Sequence, residues 1–345
     1  MRELDRILDA GFNRAREALR VLEDLYRFGR VDRPAQRVLK RLRHRLAALE
    51  RPRALRLLAA RDSVRDVGRG DDLGGPGGLG ALGAANFKRL EEALRSLEEA
   101  ARSVDPPLRS AAAALRFDAY EAERAYLPPL LRARRLDGVR LYVLLDPDAT
   151  SRPLARVARE AIRGGAEMIQ LRVKNRPRAE VRRAAAELAR VAHGEGALLI
   201  VNDRFEPGAD GVHLGRTDGT VPAARRVLPP EGIVGATTHS LAEARRAAPT
   251  SDYLSCGPMF PTPVKPGLPA RGLAYWKAAA DLGPPVFAIG GITRARLPGL
   301  VRRGVDRIAV GAGVVSAPDV AAAARSLRRL LPRGPSGPFS IHRLP

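Results

Sequence analysis

The stretch IQLRVK (169–174) puts Gln170, Arg172 and Lys174 on one side of an alternating segment and Ile169, Leu171 and Val173 on the other, because successive strand side chains point to opposite faces. Two cations and an amide at one strand end favour an anion site over a merely solvated terminus. A second group is acidic. VND ends in Asn202 and Asp203, and GVHLGRTDG (211–219) carries Asp218 four residues past the next apolar segment. Neighbouring strands lie about 5 Å apart, so carboxylates at adjacent strand ends can share one Mg²⁺, a cation that takes oxygen ligands and keeps water and phosphate oxygens. Either aspartate alone is more simply a turn or cap residue. Together, beside Arg172 and Lys174, they indicate a metal–pyrophosphate site. His213 faces away from Val212 and Leu214 and is assigned to support or packing rather than to the reacting centre. GPMFPTPVKPG (257–267) holds Thr262 and Lys265 in a Pro/Gly loop, and IGG and VGAG close the last two apolar segments. Backbone amides at such ends can take a phosphate, although glycine also serves plain tight turns.

These residues need a frame that gathers strand ends. From 141 onward LYVLL, EMIQLRV, ALLIVND, DGVHL, GIVGATT, DYLSCG, PVFAIGG and DRIAVGAG alternate with helical segments. Alternation alone also permits an open doubly wound sheet. Eight strands within 141–331 indicate an α/β fold, a closed (β/α)8 TIM barrel whose working groups sit at the C-terminal strand ends. Residues 1–126 are instead all-helical and contain an internal repeat: GFNRAREALRVLED (11–24) and NFKRLEEALRSLEE (86–99) are identical at 8 of 14 positions. Ala15, Ala18, Leu19, Leu22, Leu25 and Tyr26 recur at helical spacing, with Arg16, Glu17, Arg20, Glu23 and Arg27 on the other face. The loop GRGDDLGGPGGLG (68–80) lacks the phosphate-loop pattern GxxxxGK[ST]. Pro128–Pro129 in LPPLLRARRLDGVR predicts a helix stop, giving a helical domain over 1–130, a linker over 131–139, a barrel over 140–331 and a loose tail over 332–345.

Composition narrows the function classes. The chain has 345 residues and a formal charge of +22, but its arginines are spread over every helical segment, aromatics are 4% and no nucleic-acid motif is present. The charge therefore suits small anionic substrates rather than nucleic acid. No apolar run is long enough to span a membrane, and MRELDRILDAGF lacks a signal peptide's apolar stretch, so a cytoplasmic location is expected. Cys256 is the single cysteine, which removes intramolecular disulfides and cysteine zinc clusters and marks it as a buried strand residue.

In order, LYVLLD, QLRVK, ND, GADGVHLG..D, GATTHS, DYLSCGPMFPT..K and AIGGI resemble thiamine phosphate synthase, a family of (β/α)8 barrels. The resemblance covers about 141–330. It implies that Gln170, Arg172, Lys174, Asn202 and Lys265 bind hydroxymethylpyrimidine diphosphate, that Asp203 and Asp218 carry Mg²⁺, and that Thr237 stands where the family usually has serine. It further implies that Thr262 and Gly291 hold the thiazole phosphate. Arg172, Lys174, Thr237 and Lys265 then surround the pyrophosphate that leaves. The sequence departs from the pattern at Val264, where a second threonine is usual, and at Gly311 and Ala312, where backbone donation survives without a serine hydroxyl. RFEPG (204–208) is also too short for the usual helical turn before GADG.

ILDAGFNRAREALRVLED, LRHRL, LLAARDSVRDVG and AANFKRLEEALRSLEE resemble the helical domain sometimes fused ahead of this synthase, an alternative hydroxymethylpyrimidine phosphate kinase. That likeness implies ATP as a further substrate, with Asn13, Arg14, Glu17, Arg20, Arg61, Asp62 and Asp66 as candidate phosphate or metal contacts. The competing view is that Glu17/Arg20 and Glu92/Arg95 are ion pairs of helices that pack together or form a homo-oligomer. Two other readings of the chain are a thiazole tautomerase, which would not require the diphosphate residues, and a non-catalytic basic binding protein.

Overall fold

The computed structural model describes residues 2–29, 32–61, 78–174, 176–261 and 269–332, and the chain divides into two compact units, Met1–Arg134 and Arg135–Pro345. Thr262, Val264 and Lys265, Asp62 and Asp66, and the expected tail from 333 on lie outside the described residues.

The first unit contains α1 (Arg2–Asp24), α2 (Arg33–Glu50), α3 (Ala54–Ala60), α4 (Gly78–Ala100) and all but the last two residues of α5 (Pro106–Leu136), which runs through the expected linker start at 131. The apolar stripe read from the sequence is the buried one: Ala15, Leu19, Leu22 and Tyr26 are at most 2% exposed. The α1 helix lies along α4, the second copy of the repeat, whose Phe87, Leu90, Ala93, Leu94 and Leu97 complete the core.

Glu23 corrects the expected polar face, for it is buried. Its position at the edge of the stripe is covered by α2, where Arg43 donates to it at 2.7 Å and Gln36 at 3.1 Å. Burial pushes its carboxyl up, but these bonds outweigh that and hold it below its ordinary value. Glu98, its counterpart in the repeat, is likewise buried and accepts from Arg116 at 3.0 Å and Arg95 at 3.1 Å. Asp32 and Asp105 cap α2 and α5 by accepting from Ala35 and Leu108, a helix-start arrangement worth about 1 kcal/mol. The repeated unit is therefore a helical hairpin with an ion pair across it in both copies, larger than the 14 residues that align.

Pro128 and Pro129 do not stop a helix: both lie inside α5. Each removes an amide donor, but the turns around them are anchored, since Leu130 is buried in the core and the Tyr126 carbonyl accepts from the Tyr26 hydroxyl at 2.8 Å. Packing on both sides of the pair carries the helix through.

In the second unit eight parallel strands close in sequence order: β1 (Leu141–Leu145), β2 (Met168–Leu171), β3 (Leu198–Asn202), β4 (Gly211–Leu214), β5 (Ile233–Thr238), β6 (Tyr253–Cys256), β7 (Val286–Ile289) and β8 (Ile308–Val310), with β8 pairing β1. Closure excludes the open sheet. Helices α6 (Leu154–Arg163), α7 (Arg178–Gly194), α8 (Val221–Arg225), α9 (Leu241–Ala247), α10 (Gly272–Ala280), α11 (Leu297–Val301), α12 (Ala312–Val315) and α13 (Val320–Arg328) belong to the same unit. Among the described residues no helix joins β3 to β4, as the short RFEPG segment implies. Instead Asp210 ties the far end of this loop, accepting from the Leu199 amide at 2.8 Å, from Arg135, and bonding His193 at 2.9 Å.

Strand alternation sorts the barrel's residues. Val143, Leu145, Ile169, Leu171, Leu199 and Val201 belong to one core, which also holds α6 and α7 residues; Tyr142, Met168, Leu198, Ile200, Ile233, Tyr253, Phe287 and Ala309 form the other, inside the barrel. Cys256 is free and buried in its strand, as expected. Tyr142, Tyr253 and Phe287 meet edge to face with centroids 5.4–5.9 Å apart. This packing requires Gly235, since a Cβ there would lie 2.0 Å from the Tyr253 ring. Gly235→Ala is expected to destabilise the barrel by about 3 kcal/mol or more, the upper range for overpacking, read as a lowered urea midpoint of the barrel transition; an unchanged midpoint would show that the ring relocates at no cost.

Candidate active site

The acidic pair forms where β3 and β4 end side by side. Asp203 follows β3 with φ of 69°, a left-handed conformation that aspartate tolerates better than most residues. Its amide donates to the His213 carbonyl at 2.9 Å, and Asn202 donates to its carboxylate. Asp218 is held by the Gly215 amide at 2.9 Å and the Thr217 hydroxyl at 3.3 Å. Gly215 allows the first contact, because a Cβ there would stand 2.3 Å from the Asp218 oxygen.

The two carboxyls are close enough to hydrogen-bond. Burial first, and then the neighbouring Asp218, raise Asp203 to about 7, with Lys174 and Arg172 opposing the shift. Asp218 is lowered, chiefly by the hydrogen bond it receives from Asp203 and then by the Gly215 amide and Lys174, against its own burial. Near neutrality the pair therefore holds a proton that a cation can replace. Among the described residues no three or more His, Cys, Asp or Glu converge to hold a metal. Two carboxylates suit a hard cation whose other positions are filled by ligand oxygens and water.

Cations border this pair. Arg172 is half-buried just past β2 and forms an ion pair with Asp146 at the end of β1; Lys174 is exposed. Arg176, two residues further on, pairs with Asp148 at 2.8 Å. β2 ends at Leu171, short of the alternating segment read to Lys174, so only Gln170 of the three lies within the strand; it is 2% exposed inside the barrel and donates to the Tyr142 hydroxyl. Thr237, at the end of β5, bonds His213 Nε2 at 2.8 Å. His213 is thus an interior residue that touches a candidate site side chain, in keeping with a supporting role. Gly291 has φ of 65° and leaves no space for a side chain, with Phe260 Cβ 2.8 Å from the position a Cβ would take. Its carbonyl accepts from Arg296 at 2.8 Å. Gly311 precedes α12 and Ala312 begins it, exposed at the end of β8.

Asp146, Tyr142 and Tyr253 were not singled out from sequence. Asp146 ends a strand in LYVLLD and was open to the same strand-end rule that identified Asp203. The two tyrosines read as apolar bulk, and only the closed barrel brings their hydroxyls together.

In the helical unit Arg14, Glu17 and Arg20 are exposed on α1, and Asn13 is half-buried and accepts from Arg16. Arg61 is bound through two 2.7 Å bonds to Asp9, which is 6% exposed. That interhelical pair accounts for Arg61 without a ligand.

Residues 141–314 match the family described as thiamine monophosphate synthase, and residues 6–125 match the ThiD2 family. A thiamine-phosphate synthase of Thermosynechococcus vestitus is 38% identical over 343 residues, covering 96% of each chain. The chain belongs to the thiamine-phosphate synthase family. A family member from Mycobacterium bovis is 42% identical over 57% of this chain and 96% of its own. The solved thiamine phosphate pyrophosphorylase of Pyrococcus furiosus is 35% identical with a TM-score of 0.52, over 57% of this chain and 96% of that one. Relatives thus occur both with the length of the whole chain and with roughly that of the barrel unit.

Because the folded state lifts Asp203 from 3.8 to about 7, the folded chain binds this proton more tightly than the unfolded one between those values. The group's contribution to stability therefore falls as pH rises through that window. In Asp218→Asn the like charge is gone while burial remains, so the Asp203 midpoint should drop below 7 yet stay above 3.8, followed by carboxyl ¹³C chemical shifts. A midpoint still at 7 would mean that burial alone sets it.

Proposed function

We propose that the barrel condenses hydroxymethylpyrimidine diphosphate with hydroxyethylthiazole phosphate to thiamine phosphate and pyrophosphate. The observation that carries this reading is the Asp203–Asp218 pair, set beside Arg172 and Lys174 at one end of a closed barrel. A tautomerase has no use for that combination. The bond from the pyrimidine methylene to the diphosphate oxygen breaks, the electron pair leaves with pyrophosphate, and the methylene cation is attacked by the thiazole nitrogen. Arg172, Lys174 and Lys265 bind the diphosphate and stabilise the charge that grows on it. Thr237 donates its hydroxyl to the same group, while Gln170 and Asn202 orient the pyrimidine. Asp203 and Asp218 would hold Mg²⁺, which when bound supplies charge neutralisation for the departing pyrophosphate. The thiazole phosphate is held by Thr262 and by backbone amides at Gly291, Gly311 and Ala312; Val264 removes one hydroxyl from that side.

The helical unit, by its ThiD2 match, converts the pyrimidine monophosphate to the diphosphate with ATP, supplying the barrel. Asn13, Arg14, Glu17 and Arg20 remain its contact candidates on α1, together with Asp62 and Asp66. Among the described residues no helix is long and apolar enough to cross a membrane.

The full-length protein supplied with both phosphorylated substrates and Mg²⁺ is expected to release pyrophosphate and form thiamine phosphate; absence of product under those conditions refutes the synthase reading. Asp218→Ala should lower kcat/KM by at least about 100-fold, or roughly 2.7 kcal/mol of barrier, and an active variant would remove Asp218 from the ligand set. Mg²⁺ binding should expel the Asp203 proton, so its apparent affinity should weaken about tenfold per pH unit below about 7, as measured by titration calorimetry in buffers of different ionisation enthalpy. The same protein given ATP and the pyrimidine monophosphate tests the helical unit through formation of the diphosphate.

A further inference from the structure

Beneath the site a row of polar side chains crosses the otherwise apolar barrel interior. Gln170 Nε2 donates to the Tyr142 hydroxyl; the Tyr142 and Tyr253 hydroxyls are 3.0 Å apart; Tyr253 Oη lies 3.0 Å from His213 Nδ1; and His213 Nε2 lies 2.8 Å from Thr237 Oγ1, with Ser255 Oγ at 3.4 Å. His213 also stacks on the Tyr253 ring at a centroid distance of 5.5 Å. The two tyrosines are at most 1% exposed and His213 is 6% exposed.

A hydroxyl has one proton to give, and a neutral imidazole has one donor and one acceptor nitrogen. Burial pushes both tyrosine hydroxyls up, which keeps them protonated and leaves the row two consistent directions. In one, Gln170 gives an N–H to Tyr142, Tyr142 gives its proton to Tyr253, Tyr253 gives its own to His213 Nδ1, and His213 Nε2–H donates to Thr237. The Thr237 proton is then available to the site, and the Gln170 carbonyl is left as an acceptor. Turning the Gln170 amide over reverses every bond: the amide would offer donors, and Thr237 would spend its proton on His213.

We propose that Tyr142, Tyr253 and His213 are positioning residues that run in the first direction, presenting Gln170 as an acceptor and Thr237 as a donor, and so select a ligand bearing an amino group at one end and an anionic leaving group at the other. The proposal rests on the synthase reading, in which the aminopyrimidine diphosphate is that ligand: its exocyclic amino group needs an acceptor and its diphosphate needs donors. The opposite direction would leave a buried amide N–H facing the amino group and a hydroxyl lone pair facing the diphosphate, the kind of mismatch that makes hydrogen-bonding sites reject the wrong analogue by orders of magnitude.

The test uses the full-length enzyme, its isosteric variants Tyr253→Phe and Tyr142→Phe, and two substrates: the aminopyrimidine diphosphate and its analogue with an oxo group in place of the amino group. The wild type should prefer the amino substrate by at least about 100-fold in kcat/KM. In either variant Gln170 can turn over, so the preference should fall at least tenfold and the oxo substrate should gain in absolute kcat/KM. A purely structural role would lower both substrates in equal proportion, and that result overturns the proposal. Imidazole ¹⁵N shifts of His213 at pH 8 give a readout without turnover: the Nε2–H tautomer in the wild type, mixed tautomers in Tyr253→Phe. An Nδ1–H tautomer in the wild type refutes the relay. If the wild type turns over neither substrate, the synthase reading fails, and the tautomer measurement still decides the direction of the row.

Discussion

Two carboxylates forced together at the ends of β3 and β4 are the constraint around which the barrel's mouth is organised. Asp203 and Asp218 repel one another when both are ionised, and burial makes that repulsion costly. The structure nonetheless fixes both, through the left-handed backbone at Asp203, the His213 carbonyl that accepts from its amide, and the close approach of Asp218 to Gly215. A fold selected only for stability would separate such groups. Their retention makes sense when positive charge completes the site, and Arg172 and Lys174 already act on Asp203 in that sense.

The arginines at this mouth are held in place by carboxylates. Arg172 is oriented by Asp146 and Arg176 by Asp148, so the β1 loop supplies a counter-charge to each. Lys174 is left exposed between them. A diphosphate can compete for a guanidinium that shares only part of its donor fork with a carboxylate, since five N–H groups are available. The pairing with Asp146 thus restrains the side chain while leaving donors for a ligand.

Much of this was legible in the sequence because barrels obey two simple periodicities. Period-two alternation separated Gln170 from its apolar neighbours Ile169 and Leu171, although β2 ends at Leu171 and Arg172 and Lys174 lie beyond it; the count of eight apolar segments indicated closure and with it the strand-end location of Asp203 and Asp218. What escaped was whatever depends on contacts across the closed ring. Tyr142 and Tyr253 are 111 residues apart in hydrogen-bonded contact, and no local pattern distinguishes a tyrosine with a bonded hydroxyl from apolar bulk. The prolines inside α5 depart from expectation for a related reason: the rule that proline stops a helix is local, whereas Leu130 and the Tyr26–Tyr126 bond supply non-local restraint.

Glu23 is buried although helical spacing places it on the polar face of α1, again through a non-local contact. A carboxylate at the edge of an apolar stripe is polar by type, and its burial is decided by the next helix, which no window around it contains. The second copy makes the burial purposeful, since Glu98 repeats it with Arg116 in the place of Arg43. Breaking a buried pair costs several kcal/mol while forming one gains little over apolar packing, so two equivalent pairs say less about stability than about register. In each hairpin the ion pair penalises any slip of the second helix against the first, which packing of leucines and alanines at near-regular spacing would tolerate. The repeat thereby fixes the geometry of the α1 and α4 faces, and with it the positions of Arg14, Glu17 and Arg20, without those residues taking part in the core.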